Sequence, residues 1–206
     1  MSLGIQTGLE KKEIRMKLYQ QLRNYVPVNE QEKADKEIML RFIEENEDYL
    51  ERSNKVGHFT TSIWTVNEKR TKTLMVYHNI YDSWSWIGGH ADGVEDLKTV
   101  ALRELEEETG VTGAKLLSED IFSIEILTVD GHIKKGQYVP SHLHFNITYL
   151  AQADETKQLA INEEENQGVR WFSFDDALAV STEPWMVKHV YQKLIENTTK
   201  KEVLEE

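Results

Sequence analysis

Apolar residues recur at helical spacing through the first fifty or so positions and at strand spacing after Gly57. Ile14, Leu18, Leu22 and Tyr25 fall three or four apart, one helix face, until Pro27 interrupts. A second helix is predicted from near Asn29, with Met39, Phe42 and Ile43 as its apolar stripe. Both stripes are narrow and flanked by charge, so they should cover the main domain or a second subunit rather than form a core of their own. From Gly57 onward, His58 to Val66 and Lys72 to Tyr77 are rich in threonine, valine and aromatics, and a polar Asn67-Glu68-Lys69-Arg70 turn separates them. Ile121 to Val129, His142 to Tyr149 and Val169 to Phe172 read as further strands. In His142 to Tyr149, Leu143, Phe145, Ile147 and Tyr149 alternate with His142, His144, Asn146 and Thr148, predicting one packed face and one polar face. Ser173 should cap a short helix over Phe174 to Ala179, and Thr182 and Pro184 suit the start of a last helix through about Asn197. Helices interleave with hairpin-like strand pairs, which predicts a mixed sheet with helices packed on it.

Between the strands lies GHADGVEDLKTVALRELEEETGV, residues 89–111. Glu104, Glu106, Glu107 and Glu108 crowd together just before Gly110 ends the predicted helix. At about 100° per residue, Glu104, Glu107 and Glu108 share a wedge with Leu97, Val100 and Ala101, while Glu106, Lys98 and Thr99 take the solvent side. Acids on a buried face are costly: two like charges about 6 Å apart repel by about 3 kcal/mol at an effective dielectric of about 20. The partial negative charge of a helix C-terminus adds to the cost. Arg103 offsets part of it. A divalent cation held by hard oxygen ligands offsets the rest best, and a solvated acidic helix end is the plain alternative.

The same segment fits the Nudix box, G-x5-E-x7-R-E-U-x-E-E-x-G-U with U aliphatic, through Gly89, Glu95, Arg103, Glu104, Leu105, Glu107, Glu108, Gly110 and Val111. The chain resembles a MutT-like member of the Nudix hydrolase superfamily over roughly residues 55 to 180. Gly57-His58-Phe59-Thr60, Gly88-Gly89-His90-Ala91-Asp92-Gly93 and Ser141-His142-Leu143-His144 look like a bacterial subgroup of it. Ile87 stands where many relatives have proline and Val94 where many have glycine, which should alter loop geometry without touching a metal ligand. The resemblance implies the α/β Nudix fold, a mixed β-sheet in an α/β/α sandwich. The expected organisation is an N-terminal helical extension over 1–54, the Nudix domain over 55–198 and a frayed tail over 199–206. It further implies a pyrophosphohydrolase that uses Mg²⁺ or Mn²⁺ to cleave a nucleoside diphosphate linked to another moiety. Glu104, Glu107, Glu108 and the Gly89 carbonyl are then metal ligands, and Arg103 orients one of the carboxylates. Glu95 takes a helix-start or supporting role, and Gly88 with Gly89 gives the tight turn into the box. Glu165, six places before Trp171, is a candidate general base beside Glu104 and Glu107, with a solvated acidic loop as the plain alternative.

His58, His90, His142 and His144 are candidate substrate contacts or structural hydrogen-bonding groups, both favoured over a zinc site, and Trp84 or Trp86 could stack on a base or pack at the rim. Lys134 and Lys135 sit on a loop tip as ordinary surface lysines or phosphate contacts. With 206 residues the chain can bury one core, and with no cysteine it excludes disulfides and thiolate chemistry. Its net charge of −12 argues against general nucleic-acid binding but not against a small phosphorylated, nucleotide-derived substrate. Neither a membrane span nor a signal-peptide pattern is visible, so a cytoplasmic protein is expected, with homodimerisation one use for the extension. A non-catalytic nucleotide sensor of the same fold should carry a damaged box, which this chain does not. A diphosphate-isoprenoid isomerase is disfavoured because relatives with that chemistry use a cysteine. Nothing in the sequence selects the substrate.

Overall fold

The computed structural model describes residues 17–134 and 136–205; Ile14 and Lys135 lie outside them. The fold is mixed α/β, as the pattern predicted. The chain divides into two compact units. The first comprises Met1–Thr60, His90–Leu97 and Ile124–Ile147, and the second Thr61–Gly89, Lys98–Ser123 and Thr148–Glu206.

In chain order the first helix, α1, covers residues 17–24, and α2 follows over Glu30–Glu45. Asn29 caps α2, its side chain accepting from the Glu32 N–H at 2.9 Å. Glu32 is fully buried but well bonded, accepting from the Val28 N–H at 2.8 Å and the Tyr25 hydroxyl at 2.7 Å. Leu18, Leu22, Met39 and Ile43 are buried, as their spacing predicted. The stripe covers the chain's own first unit: Phe42 stacks on Phe145 with ring centroids 4.2 Å apart.

The strands are β1 (Gly57–Val66), β2 (Lys72–His78), β3 (Ser83–Ser85), β4 (Ile87–His90), and, after helix α3 (Leu97–Thr109), β5 (Lys115–Leu116), β6 (Ser123–Val129), β7 (His132–Lys134), β8 (Gln137–Val139), β9 (His142–Gln152) and β10 (Asn166–Ser173). The main sheet has eight strands, ordered β10-β2-β1-β9-β5, with β3 on β2, β4 on β1 and β6 on β9. β10 runs antiparallel to β2 from Asn166 opposite His78 to Ser173 opposite Lys72. The separate β7–β8 hairpin carries Lys134 at its tip.

The predicted polar face of β9 is not solvated: Asn146 and Thr148 are buried along with Phe145, Ile147 and Tyr149. β1 is likewise buried at every position. Some buried polar side chains on these strands are matched to one another: Thr60 donates to Asn146 Oδ1 at 3.1 Å and Asn146 donates to Glu125 at 3.1 Å. The short β3, β4 and β5, and the β7–β8 hairpin, were not predicted. Ser-Trp-Ser and Gly-Gly-His carry little strand propensity, and pairing with neighbours supplies what local sequence does not.

Ser173 caps α4 (Phe174–Val180) as expected, accepting from the Asp176 N–H at 3.1 Å. The last helical stretch differs from its prediction in two ways. Glu183, not Thr182, precedes the first helical residue, because the Thr182 N–H is fastened to Ser83 Oγ at 3.0 Å. After α5 (Pro184–Met186) comes a π-helical turn at Val187–Tyr191, then α6 from Gln192 to Glu205. The turn presents Tyr191, fully buried, to stack with Trp64 at 6.0 Å. The helix outlasts Asn197 because Thr198 is buried and returns its hydroxyl to the Leu194 carbonyl at 2.8 Å. Among the described residues no helix is long and apolar enough to cross a membrane.

Candidate functional site

Helix α3 builds the second unit's chemistry. Leu97, Val100, Ala101 and Leu105 are buried, which fixes the helix's inward face. Glu108 lies near the centre of that face and is 3% exposed; Glu104 is half-buried one turn earlier. Gly110 ends the helix with φ +70°, a left-handed step that an L side chain resists. Glu107 departs from the expected inward phase. It lies roughly 100° from the centre of the buried face, and its side chain is exposed toward Arg103 Nε at 3.8 Å. Arg103 also donates through Nη2 to Glu104 Oε1 at 2.8 Å, so one guanidinium serves both acids.

Carboxylate oxygens of Glu104, Glu108 and Glu165 lie within 4.8 Å of one another. Glu165 reaches this cluster from the turn before β10, where its N–H donates to the Asn162 carbonyl at 3.0 Å. Its neighbour Asn166, buried, fastens that turn to α3 by donating from Nδ2 to the Glu108 carbonyl at 3.1 Å. The sequence reading gave Asn166 no part in the site. Its only signal was a polar side chain at the head of a strand.

Gly88 and Gly89 close the cluster from β4. The Gly88 N–H donates to Glu108 Oε1 at 3.3 Å. A Cβ on Gly89 would stand 2.6 and 2.7 Å from the two Glu104 carboxylate oxygens, so any side chain there would push that carboxylate away from the backbone. Burial pushes the Glu108 carboxyl up to about 8, and the charged neighbours that weigh on it, Glu165, Glu104 and Glu107, push the same way. Burial also raises Glu104, against the opposing Arg103. A buried carboxylate beset by other carboxylates is the donor set that a hard divalent cation satisfies, so the residues fit one. Glu95 sits just ahead of α3, half-buried and raised by that burial.

Trp84 is half-buried and meets Tyr77 and Phe172 edge-on, at 5.5 and 4.8 Å between centroids. Trp86 meets Tyr191 in the same way at 6.1 Å. In the first unit, His58, His90, His142 and His144 come together from β1, the end of β4 and β9. The ring-centroid separations from His58 are 5.2 Å to His90, 5.0 Å to His142 and 5.0 Å to His144.

A family model described as the NUDIX domain matches residues 56–196. Among curated proteins, Nudix hydrolase 27, chloroplastic, of Arabidopsis thaliana is 51% identical over 41 residues, which is 20% of this chain and only 18% of that protein. Among solved structures, a C. elegans Ap4A hydrolase binary complex superposes with a TM-score of 0.51 at 19% identity, over 70% of this chain and 97% of that one. A Nudix hydrolase from M. Smegmatis, RenU, gives 0.51 at 16% identity, over 70% and 88%. At such identities the structural likeness speaks for the fold.

Proposed function

We propose that this chain, which belongs to the NUDIX family, is a divalent-metal-dependent hydrolase that splits a phosphoanhydride in a nucleoside diphosphate linked to another group. The convergence of Glu104, Glu108 and Glu165 beneath the Gly88–Gly89 backbone carries this reading. Glu104, Glu108 and the Gly89 carbonyl would hold Mg²⁺ or Mn²⁺, with Glu107 completing the set at the rim. The ion, when bound, supplies charge neutralisation on the phosphoryl oxygens and a more acidic water. Arg103 holds Glu104 in place through its fork and keeps Glu107 beside it. Glu165 is the general base: its carboxylate takes the proton of the attacking water, and its exposed side lets that proton leave to solvent. Trp84 and Trp86 support the β3–β4 segment, as their edge-on packing indicates.

The substrate is small and nucleotide-derived, consistent with a net charge of −12 that suits no extended nucleic acid. The GHFT, GGHADG and SHLH segments support assignment to a bacterial subgroup. We assign the catalytic domain to 55–198, flanked by a helical extension and a tail. A cytoplasmic location completes the reading, as does homodimerisation near the first helices, where Val26, Val28 and Ile38 remain exposed. The test is product release from dinucleoside polyphosphates, nucleotide sugars, ADP-ribose and nucleoside triphosphates, with Mg²⁺ and separately with Mn²⁺. Turnover of at least one class, abolished by chelator and by Glu104→Gln with Glu108→Gln, is expected. No turnover of any class with either ion would refute the proposal.

A further inference from the structure

The first unit gathers imidazoles that the hydrolytic chemistry above leaves unused. His58 and His90 lie 5.2 Å apart between centroids, His90 and His144 4.8 Å, and His142 and His144 5.0 Å. Ring nitrogens of His58, His90 and His144 fall within 4.8 Å of one another, and His142 Nε2 stands 3.1 Å from His144 Nε2. We propose that His58, His90, His142 and His144 form a second metal site, one for a divalent transition metal and Zn²⁺ foremost, that ties β1, β4 and β9 together.

Tautomers favour it. His142 Nδ1 lies 2.9 Å from the Pro140 carbonyl and His58 Nδ1 3.3 Å from the Asn54 carbonyl. A carbonyl only accepts, so both Nδ1 atoms carry a proton and Nε2 is the nitrogen each ring has left to ligate. A backbone carbonyl on the far nitrogen is also what orients metal-ligating histidines. Asn54 is itself anchored, its side chain accepting from the Val56 N–H at 3.1 Å and donating to Asp48 at 2.9 Å.

His58 supplies the second observation. It is 3% exposed, and its Nε2 is buried with no hydrogen-bond partner among the described residues. A buried lone pair facing other imidazoles is costly if nothing takes it, and a cation takes it. Positive charge nearby is largely offset: Arg52, which weighs on three of the rings, pairs with Asp92 through Nε at 2.6 Å and Nη2 at 2.5 Å. Lys134 weighs on His90 alone of these.

Donor type selects the ion. An all-imidazole set suits Zn²⁺ and its neighbours, whereas Mg²⁺ and Ca²⁺ take oxygen. Four-coordinate zinc at about 2.0–2.1 Å sets its nitrogens roughly 3.3 Å apart. His142 and His144 stand close to that spacing at 3.1 Å, and His58 and His90 bring a ring nitrogen within 4.8 Å of His144.

The full chain, stripped with chelator, is titrated with Zn²⁺ and separately with Co²⁺ in the presence of excess Mg²⁺. One tightly held ion per chain is expected, with the visible absorption of four-coordinate Co²⁺. Zn²⁺ affinity should fall at least about 100-fold in His142→Ala/His144→Ala and stay unchanged in Glu104→Gln/Glu108→Gln. X-ray absorption on the zinc-loaded natural chain should count imidazole neighbours, which needs no variant to fold. Failure of the natural chain to retain zinc overturns the site, as does a neighbour shell of oxygen. So does a histidine variant that raises KM for substrate while zinc affinity stays put, an outcome that returns these rings to substrate contact.

Discussion

Gly88 and Gly89 are neighbours with opposite predicted failures. In Gly89→Ala the new methyl meets only the Glu104 carboxylate, the far end of a flexible side chain. Its closest approach is to Glu104 Cδ, and restoring an ordinary distance of about 3.4 Å moves that carboxylate by about 1 Å. The backbone need not shift, so stability should change by less than about 1 kcal/mol. Displacement of a reacting or ligating group by about 1 Å costs on the order of 100-fold in rate, equivalent to about 2.7 kcal/mol of transition-state binding. In Gly88→Ala the methyl instead meets the Thr61 carbonyl, Ser62 Oγ at 2.7 Å and Ser62 Cα at 2.9 Å. Backbone cannot rotate away, so about 1–3 kcal/mol of stability is lost. Urea unfolding reads the first quantity; Mn²⁺ titration and steady-state turnover read the second. If Gly89→Ala keeps its Mn²⁺ affinity and turnover, the role given to the Glu104–Gly89 contact is wrong. A Gly88→Ala chain as stable as the parent would discredit the same geometry.

Glu165→Gln should lower kcat about 100-fold at saturating Mn²⁺, and unchanged turnover would strike Glu165 from the catalytic residues. Asn166→Ala removes a buried bond to the Glu108 carbonyl and should cost about 1–3 kcal/mol in urea unfolding, with turnover falling as Glu165 loosens; a neutral result would deny it the positioning role. Because Glu108 rises from an ordinary 4.5 to about 8 in the folded chain, the metal-free native state keeps a proton that the unfolded chain gives up. Metal-free stability from this group is therefore full below about pH 4.5 and is lost as pH climbs toward about 8. Glu108→Gln should lack that slope, and a natural chain whose stability relative to Glu108→Gln climbs across the window would contradict it. Met39→Ala, at a fully buried position of α2, should cost about 2–5 kcal/mol; a loss under 1 kcal/mol would mean that the first helices pack loosely.

What could be read in advance was what lies close along the chain. The phase of α3 put Glu104 and Glu108 on the buried side because Leu97, Val100 and Ala101 mark that side locally. Glu107 was misplaced because a wedge about 100° wide has edges, and an edge residue with an arginine four places earlier turns to solvent. The strand nature of β9 was plain from alternation, yet alternation could not reveal that Asn146 and Thr148 are also covered, since that depends on Thr60 and Glu125 from distant segments. The same holds for the histidines. The His142–His144 pair was visible as a two-residue spacing, but its meeting with His58 and His90 is a product of strand order. Glu165 was placed by resemblance, and only the Asn166 bond to α3 shows how the turn before β10 is held against the acids.

Divalent-ion binding by Glu104, Glu108 and the Gly89 carbonyl is the central claim, and Mn²⁺ titration followed by electron paramagnetic resonance tests it most directly. With the histidine site filled by zinc beforehand, the natural chain should take up Mn²⁺, and Glu104→Gln/Glu108→Gln should take up none over the same range. Equal Mn²⁺ uptake by both chains, or none by the natural one, would contradict the account.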